Sequence, residues 1–175
     1  MIRVVLADDQ AVVRAGFRTI LTAEPDLTVA GEASDGAQAV RLARRLRPDL
    51  VLMDIRMPGM DGIRATEQLA GGGVADPVPV LAVTTFDLDE YVFGALRGGA
   101  GGFLLKDVEP DDLVAAVRTV AGGQGLVAPA GDPAVDRRVR PGRPARGRPG
   151  GGPPHRPGTG DAGADRPGPV EQRDR

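Results

Sequence analysis

Five polar side chains that could do chemistry stand at or directly after the ends of short apolar runs in this 175-residue sequence. The runs are IRVVLA, LVLM, VPVLAV and GFLL, and the polar residues that follow them are Asp8, Asp9, Asp54, Thr84 and Lys106. Short apolar runs of this kind are typical of buried parallel strands. Because open α/β sheets bind ligands outside the carboxyl ends of their strands, we expect the five side chains to converge at one edge of a sheet.

The chemistry that this set supports is the handling of a phosphoryl group. Three neighbouring carboxylates repel one another and raise each other's pKa unless a cation joins them. Oxygen ligands without His or Cys favour a hard ion, Mg²⁺ rather than Zn²⁺. The ammonium of Lys106 suits an anion such as phosphate, and Thr84 offers a hydroxyl donor. Such a site stabilises a phosphoryl group, and one aspartate can itself be the nucleophile that forms an acyl phosphate.

The elements that must position these residues alternate between strands and helices along the first 123 residues. Apolar runs predict strands at 2–7, 27–34, 50–53, 78–84 and 102–105. Helical spacing and Gly or Pro stops predict helices at 10–24, 35–47, 62–70, 87–100 and 109–123. Five βα units in succession imply a parallel sheet with helices on both faces. We expect Phe17, Phe93 and Leu96 to lie in its core.

Composition limits the class of protein. There is no cysteine, which fits a reducing compartment and excludes disulfides and thiolate metal sites. No apolar run approaches 18 residues, so we predict neither a signal peptide nor a membrane span, and a cytoplasmic location. Residues 1–130 are net acidic and are therefore expected to be a poor general binder of nucleic acid.

Residues 131–175 differ in composition from the rest of the chain. They contain no Leu, Ile, Phe, Met, Trp or Tyr, and Gly and Pro supply 19 of their 45 residues. Such a segment cannot bury enough apolar surface to offset its ordering entropy. We therefore divide the chain into a domain at 1–123, a linker at 124–130 and a disordered tail at 131–175. The ten arginines of the tail leave a nucleic-acid-binding arm as an alternative, although it lacks aromatic residues for base stacking.

The motifs LADD, LVLMDIRMPGMDG, VLAVTTFD and GGFLLKD, in this order, resemble the receiver domain of bacterial two-component response regulators. The resemblance covers roughly residues 1–123. FDLDEYV and GGFLLKD look most like the LuxR/NarL-type subgroup, whose members usually carry a C-terminal helix-turn-helix. The resemblance implies a flavodoxin-like, doubly wound, five-stranded parallel sheet in the order 2-1-3-4-5.

Site roles follow from the resemblance residue by residue. Asp54 matches the phosphorylated aspartate, and Lys106 matches the lysine that contacts the phosphoryl oxygen. The implied Mg²⁺ ligands are Asp8, Asp9, Asp54 and the backbone carbonyl of Arg56. The implied switch positions are Thr84 and Phe103. One departure is Asp107, since many receivers have a cis proline after this lysine. A non-proline cis bond costs about 3–4 kcal/mol, so we do not expect one here.

The implied function is to accept a phosphoryl group from a histidine kinase, without turnover beyond slow self-dephosphorylation. Phosphorylation would shift the face formed by the fourth helix, fifth strand and fifth helix, through which intact relatives dimerise and regulate transcription. We do not expect this chain, as written, to bind DNA. Two alternatives besides the nucleic-acid-binding tail are a stand-alone receiver that acts through protein contacts and a small phosphatase-like enzyme.

Two aspartates also allow plain structural interpretations. Asp9 could cap the first helix, because Asp is a preferred N-cap residue. Asp61, followed by glycine, is expected to form only a turn and a helix cap.

The codons of the tail suggest how its composition arose. Read one base later, residues 154–175 can spell LTARELEMLALIARGLSNNEI, which resembles the start of a LuxR-type helix-turn-helix. We hypothesise that one frame change near residues 128–131 replaced a DNA-binding region. Sequencing the gene tests this: early stops in the shifted frame, or no helix-turn-helix there, would refute it.

Overall fold

The computed structural model describes residues 1–85 and 89–127, and strands and helices alternate along these two ranges. The strands are β1 Ile2–Ala7, β2 Leu27–Ala33, β3 Leu50–Asp54, β4 Val80–Thr84, β5 Gly102–Leu105 and β6 Leu126–Val127. The helices are α1 Ala11–Thr22, α2 Gly36–Leu46, α3 Gly62–Ala70, α4 Asp89–Arg97 and α5 Pro110–Ala121. The predictions for residues 131–175 fall outside the described ranges.

The strands form one parallel sheet in the order β2-β1-β3-β4-β5-β6. The predicted order 2-1-3-4-5 is therefore confirmed. The sequence did not indicate β6, a two-residue strand that pairs with β5 inside the region expected to be a linker. The strand order reverses at β1, whose neighbours are β2 on one side and β3 on the other. The ends of β1 and β3 coincide there, since Ala7 lies opposite Met53.

Both faces of the sheet are covered, as expected for buried parallel strands. Successive residues of a strand point to opposite faces. Leu6 and Leu52 accordingly belong to the cluster that α1 and α5 cover, whereas Val5 and Met53 belong to the cluster covered by α2 and α3. All five residues of β3 are buried, so the strand that ends in Asp54 is held on every side.

One of the three core predictions was wrong and a second was met in part, since Leu96 is only half-buried. Phe17 is buried at 6 % exposure, but Phe93 of α4 is 37 % exposed. The reason is that α4 buries small residues instead: Ala95 is 1 % exposed, and a Cβ on Gly94 would lie 2.8 Å from the Cδ1 atom of Ile63 in α3. The close approach of the two helices leaves the large side chain outside.

Helix starts are fixed by side chains at two loops next to the sheet edge. Asp35 accepts a hydrogen bond from the Gln38 amide at 2.8 Å, and Asp61 accepts one from the Arg64 amide at 2.8 Å. The second bond confirms Asp61 as the N-cap of α3. Among the described residues, the longest helices have 12 residues, which is too short to cross a bilayer.

Candidate functional site

Three carboxylates meet where β1 and β3 end. Oxygen atoms of Asp8, Asp9 and Asp54 all lie within 4.8 Å of one another. Asp8 and Asp54 are each 2 % exposed, whereas Asp9 is exposed to solvent. The sheet register explains the meeting, because the parallel strands β1 and β3 are neighbours and stop at the same level. The predicted convergence of the three aspartates is therefore present.

Lys106 reaches this cluster from the end of β5. Its Nζ atom lies 2.6 Å from Asp8 Oδ2 and 2.9 Å from Asp54 Oδ2, and its side chain is 9 % exposed. The amide of Lys106 donates to the carbonyl of Thr84 at 2.8 Å, which continues the pairing of β4 with β5 by one residue. No cis peptide bond occurs in the described ranges, so the bond from Lys106 to Asp107 is trans, as expected.

The electrostatics of the site favour an added cation. Burial raises the pKa of Asp54 above its usual range, against the opposing effect of Lys106. Burial alone would lower the pKa of Lys106, but its contacts with Asp8 and Asp54 raise that pKa on balance. Lys106 therefore stays an ammonium at neutral pH. Lys106 pairs with the two buried carboxylates, and the exposed Asp9 adds a third, so the cluster has more acidic than basic groups.

Three buried atoms of the site lack a hydrogen-bond partner among the described residues: Asp8 Oδ2, Thr84 Oγ1 and Lys106 Nζ. The contacts of Lys106 are thus close ion pairs without the alignment of hydrogen bonds. Asp8 Oδ2 and Lys106 Nζ still attract each other at 2.6 Å, whereas no such pair accounts for the Thr84 hydroxyl among the described residues. An unsatisfied buried polar group costs about 1–3 kcal/mol, so this hydroxyl calls for an explanation. A hard cation and the oxygens of a phosphoryl group would satisfy such atoms.

The loop after Asp54 is tied down at both ends. The Ile55 amide donates to the carbonyl of Val83 at 3.0 Å, and the Gly62 amide donates to the carbonyl of Ile55 at 2.9 Å. A Cβ on Gly62 would lie 2.0 Å from the Asp54 carbonyl oxygen, so only glycine lets α3 begin this close to the site. The Arg56 amide lies 3.4 Å from Asp54 Oδ1. Arg56 therefore sits beside the cluster, where the sequence placed it.

Outside this loop is an open groove of about 440 Å³. Asp9 and Arg56 line the end beside the carboxylates, and Ile63 and Tyr91 also line it. The groove therefore borders the acidic cluster through Asp9. The sequence did not indicate this groove, because its walls come from separate segments.

Phe103, the predicted aromatic switch residue, is buried at 2 % exposure. It lies in a small cluster with Ile55, Ala82 and Ala95, against which Tyr91 packs. The cluster joins the loop after Asp54 to α4 and β5. Because the cluster is closely packed, a movement of Phe103 would shift both the loop after Asp54 and α4.

Sequence reasoning missed one residue that touches the site. Arg14 of α1 donates from Nη1 to the backbone carbonyl of Asp8 at 2.6 Å. Asp9 does not cap α1; the N-cap is Gln10, which makes no side-chain cap hydrogen bond. The sequence did contain a signal for Arg14, since it places an arginine in the first turn of the helix that follows the two aspartates.

A doubly wound parallel sheet in the order 2-1-3-4-5, with an acidic cluster and a buried lysine at its carboxyl edge, defines the receiver class of signalling domains. Residues 4–118 match the family of response regulator receiver domains. The chain belongs to this family, and the resemblance seen in its motifs is confirmed.

Relatives and solved structures agree with this assignment. The chain is 45 % identical over 125 residues to the uncharacterized transcriptional regulatory protein YxjL of Bacillus subtilis, covering 71 % of this chain and 56 % of that protein. It is 38 % identical over 140 residues to the nitrate/nitrite response regulator NarL of Escherichia coli, covering 80 % and 64 %. The solved receiver domain of a putative NarL from Mycobacterium tuberculosis matches with a TM-score of 0.67 and 39 % identity, covering 70 % of this chain and 98 % of that one. The chain thus spans a little over half to nearly two thirds of these curated relatives.

Proposed function

We propose that this chain is a phospho-accepting receiver in which Asp54 takes a phosphoryl group from a histidine kinase. The observation that supports this most is the position of Lys106 Nζ, within 2.9 Å of both Asp54 and Asp8. A buried ammonium beside a buried carboxylate can hold the oxygens of an incoming phosphoryl group next to its acceptor.

The transfer requires little from the protein beyond positioning and charge. One carboxylate oxygen of Asp54 forms a bond to phosphorus while the phosphorus–nitrogen bond to the kinase histidine breaks. The electron pair of the broken bond stays with the departing imidazole. Lys106 offsets the charge on the phosphoryl oxygens, and the Thr84 hydroxyl, which has no hydrogen-bond partner in the described part of the chain, can donate to one of them. Continued turnover of an external substrate is not expected, because the product is the acyl phosphate of Asp54 itself.

The acidic cluster fits Mg²⁺. The residues that would hold the ion are Asp8, Asp9, Asp54 and the backbone carbonyl of Arg56. The donor set is all oxygen, and one of its buried oxygens, Asp8 Oδ2, has no hydrogen-bond partner among the described residues. When bound, the ion neutralises negative charge on the phosphoryl group and the carboxylates.

We further propose that phosphorylation acts on the face formed by α4, β5 and α5. Thr84 and Phe103 would respond first, since Thr84 ends β4 beside the site and Phe103 lies in the adjoining cluster. Phe93, which α4 leaves 37 % exposed, offers an apolar contact for a second copy of the chain on this face. Two relatives are named as transcriptional regulatory proteins, and gene regulation in the cytoplasm is the output we propose for such relatives.

Labelling with acetyl phosphate tests the proposal. With Mg²⁺ present, intact-protein mass spectrometry should detect one added phosphoryl group on the wild-type chain and none on Asp54→Asn. Asp35→Asn is the matched control, because it also converts a carboxylate to an amide but lies at the N-cap of α2. Equal labelling of wild type and Asp54→Asn would refute the assignment of Asp54.

A further inference from the structure

Arg14 joins three elements next to the acidic cluster. It lies on α1, donates from Nη1 to the Asp8 carbonyl at the end of β1, and pairs through Nε with Glu32 of β2 at 3.4 Å. Its side chain is only 16 % exposed. The aliphatic stem therefore packs between α1 and the two strands, while the guanidinium makes these two contacts.

The turn from β1 into α1 has few other restraints on the carbonyl side of Asp8. The Asp8 amide donates to the Ala33 carbonyl at 3.1 Å, and Asp8 Oδ1 accepts from the Gln10 amide at 2.8 Å. The N-cap residue Gln10 adds no side-chain bond to the helix start. The carbonyl of Asp8, which leads directly into Asp9, is held by Arg14. Arg14 therefore fixes the peptide that connects the two acidic residues.

Glu32 in turn holds the guanidinium of Arg14 in place. The same carboxylate accepts from Arg18 Nε at 2.6 Å on the outer side of α1. Glu32 thus stands between two arginines, one directed to the site and one 51 % exposed to solvent. Only the inner arginine contacts Asp8.

We propose that Arg14 is a positioning residue for the divalent-cation site, which acts by fixing the Asp8–Asp9 peptide so that both carboxylates face the ion. The inference rests on the proposed function, because it assumes that the acidic cluster binds Mg²⁺. The direction in which metal affinity changes when Arg14 is removed distinguishes a positioning role from a purely electrostatic one. A cation near a cation site repels the ion, so loss of Arg14 would strengthen metal binding if only charge mattered.

Metal binding without any phosphodonor tests this directly. Free Mn²⁺ is followed by electron paramagnetic resonance during titration of the full chain, and Mg²⁺ affinity is obtained by competition. Arg14→Met should weaken binding about tenfold, the lower end of the range for groups that orient metal ligands. Arg18→Met is the matched control: it removes an arginine from the same Glu32 but no bond to Asp8, and should bind as wild type does. Thermal unfolding followed by circular dichroism in EDTA checks that each variant is folded.

Three results would overturn the inference. They are unchanged or tighter binding by Arg14→Met, an equal loss in Arg18→Met, and wild-type affinity in Arg14→Lys, which keeps the charge but loses the planar fork. The lysine variant is decisive if Arg14→Met does not fold, since positioning requires a measurable loss there too. Failure of the wild-type chain to bind Mn²⁺ or to accept phosphate would instead count against the proposed function.

Discussion

The buried ion pairs of Lys106 give the most demanding prediction. Lys106→Met keeps the length and apolar stem of the side chain but leaves Asp8 and Asp54, both 2 % exposed, without a cation. Breaking a buried pair by removing one partner costs about 3–5 kcal/mol, because the remaining charge stays buried. Here one ammonium serves two carboxylates, at 2.6 and 2.9 Å, so we expect a loss in that range in metal-free buffer near neutral pH.

The size of this loss should depend on pH in a definite direction. Burial raises the pKa of Asp54, so the folded state takes up a proton there more readily than the unfolded state does. The stability linked to this proton is fully present below the usual pKa of aspartate and is lost as pH rises through the folded-state value. In Lys106→Met the largest effect opposing the raised pKa of Asp54 is gone and the weaker hydrogen bond from the Arg56 amide remains, so lowering the pH from about 7 to about 5 should recover part of the lost stability.

Urea unfolding followed by far-UV circular dichroism measures both effects, since the chain has no tryptophan to follow by fluorescence. Asp76→Asn is the matched control. It breaks the pair with Arg47, whose N–O distance is also 2.6 Å but whose side chains are 58 % and 74 % exposed. An exposed pair contributes about 0–1 kcal/mol. If Lys106→Met lowers the free energy of unfolding by no more than Asp76→Asn does near pH 7, the reasoning about buried charge is wrong.

Three further predictions concern the rest of the domain. Thr84→Val replaces a buried hydroxyl that has no hydrogen-bond partner among the described residues, so the free energy of unfolding in urea should stay unchanged or rise by up to about 1 kcal/mol; a clear loss of stability would contradict this. Alanine at position 94 gains about 1 kcal/mol of helix propensity but its methyl group would press on the Cδ1 atom of Ile63, so Gly94→Ala should be more favourable by about 1 kcal/mol in an Ile63→Val background than in the wild type; equal effects in the two backgrounds would contradict the contact. Contact with Arg118 lowers the pKa of Asp26, so the stability that this pair adds is present above the usual aspartate pKa and lost as pH falls through the lowered value. Arg118→Met should therefore unfold at lower urea than wild type at about pH 6, and the difference should shrink as the pH falls below the usual aspartate pKa, whereas a difference that stays constant with pH would refute the linkage.

The strands and the central site could be predicted because the relevant signals are local. A fully apolar run such as LVLM permits little besides a buried strand, and parallel pairing then brings Asp8 and Asp54 together. The family motifs add the roles of these residues.

Features that depend on contacts between separate elements could not be predicted from local sequence patterns. Phe93 is exposed because Gly94 lets α4 approach Ile63, a contact between separate helices. The two residues of β6 are too few to show periodicity. Arg14 resembles any exposed helical arginine until the position of the Asp8 carbonyl is known.

Lys106 is the only lysine in the sequence, which otherwise uses arginine 21 times. Its ε-amine, buried and paired with two carboxylates, should react slowly with acylating reagents, and any change in its neighbours should alter that rate. Amine-selective labelling followed by peptide mapping can therefore report the state of this one position in the unaltered protein. The sequence has no other side-chain amine, so the chain carries its own chemical reporter at the acidic cluster.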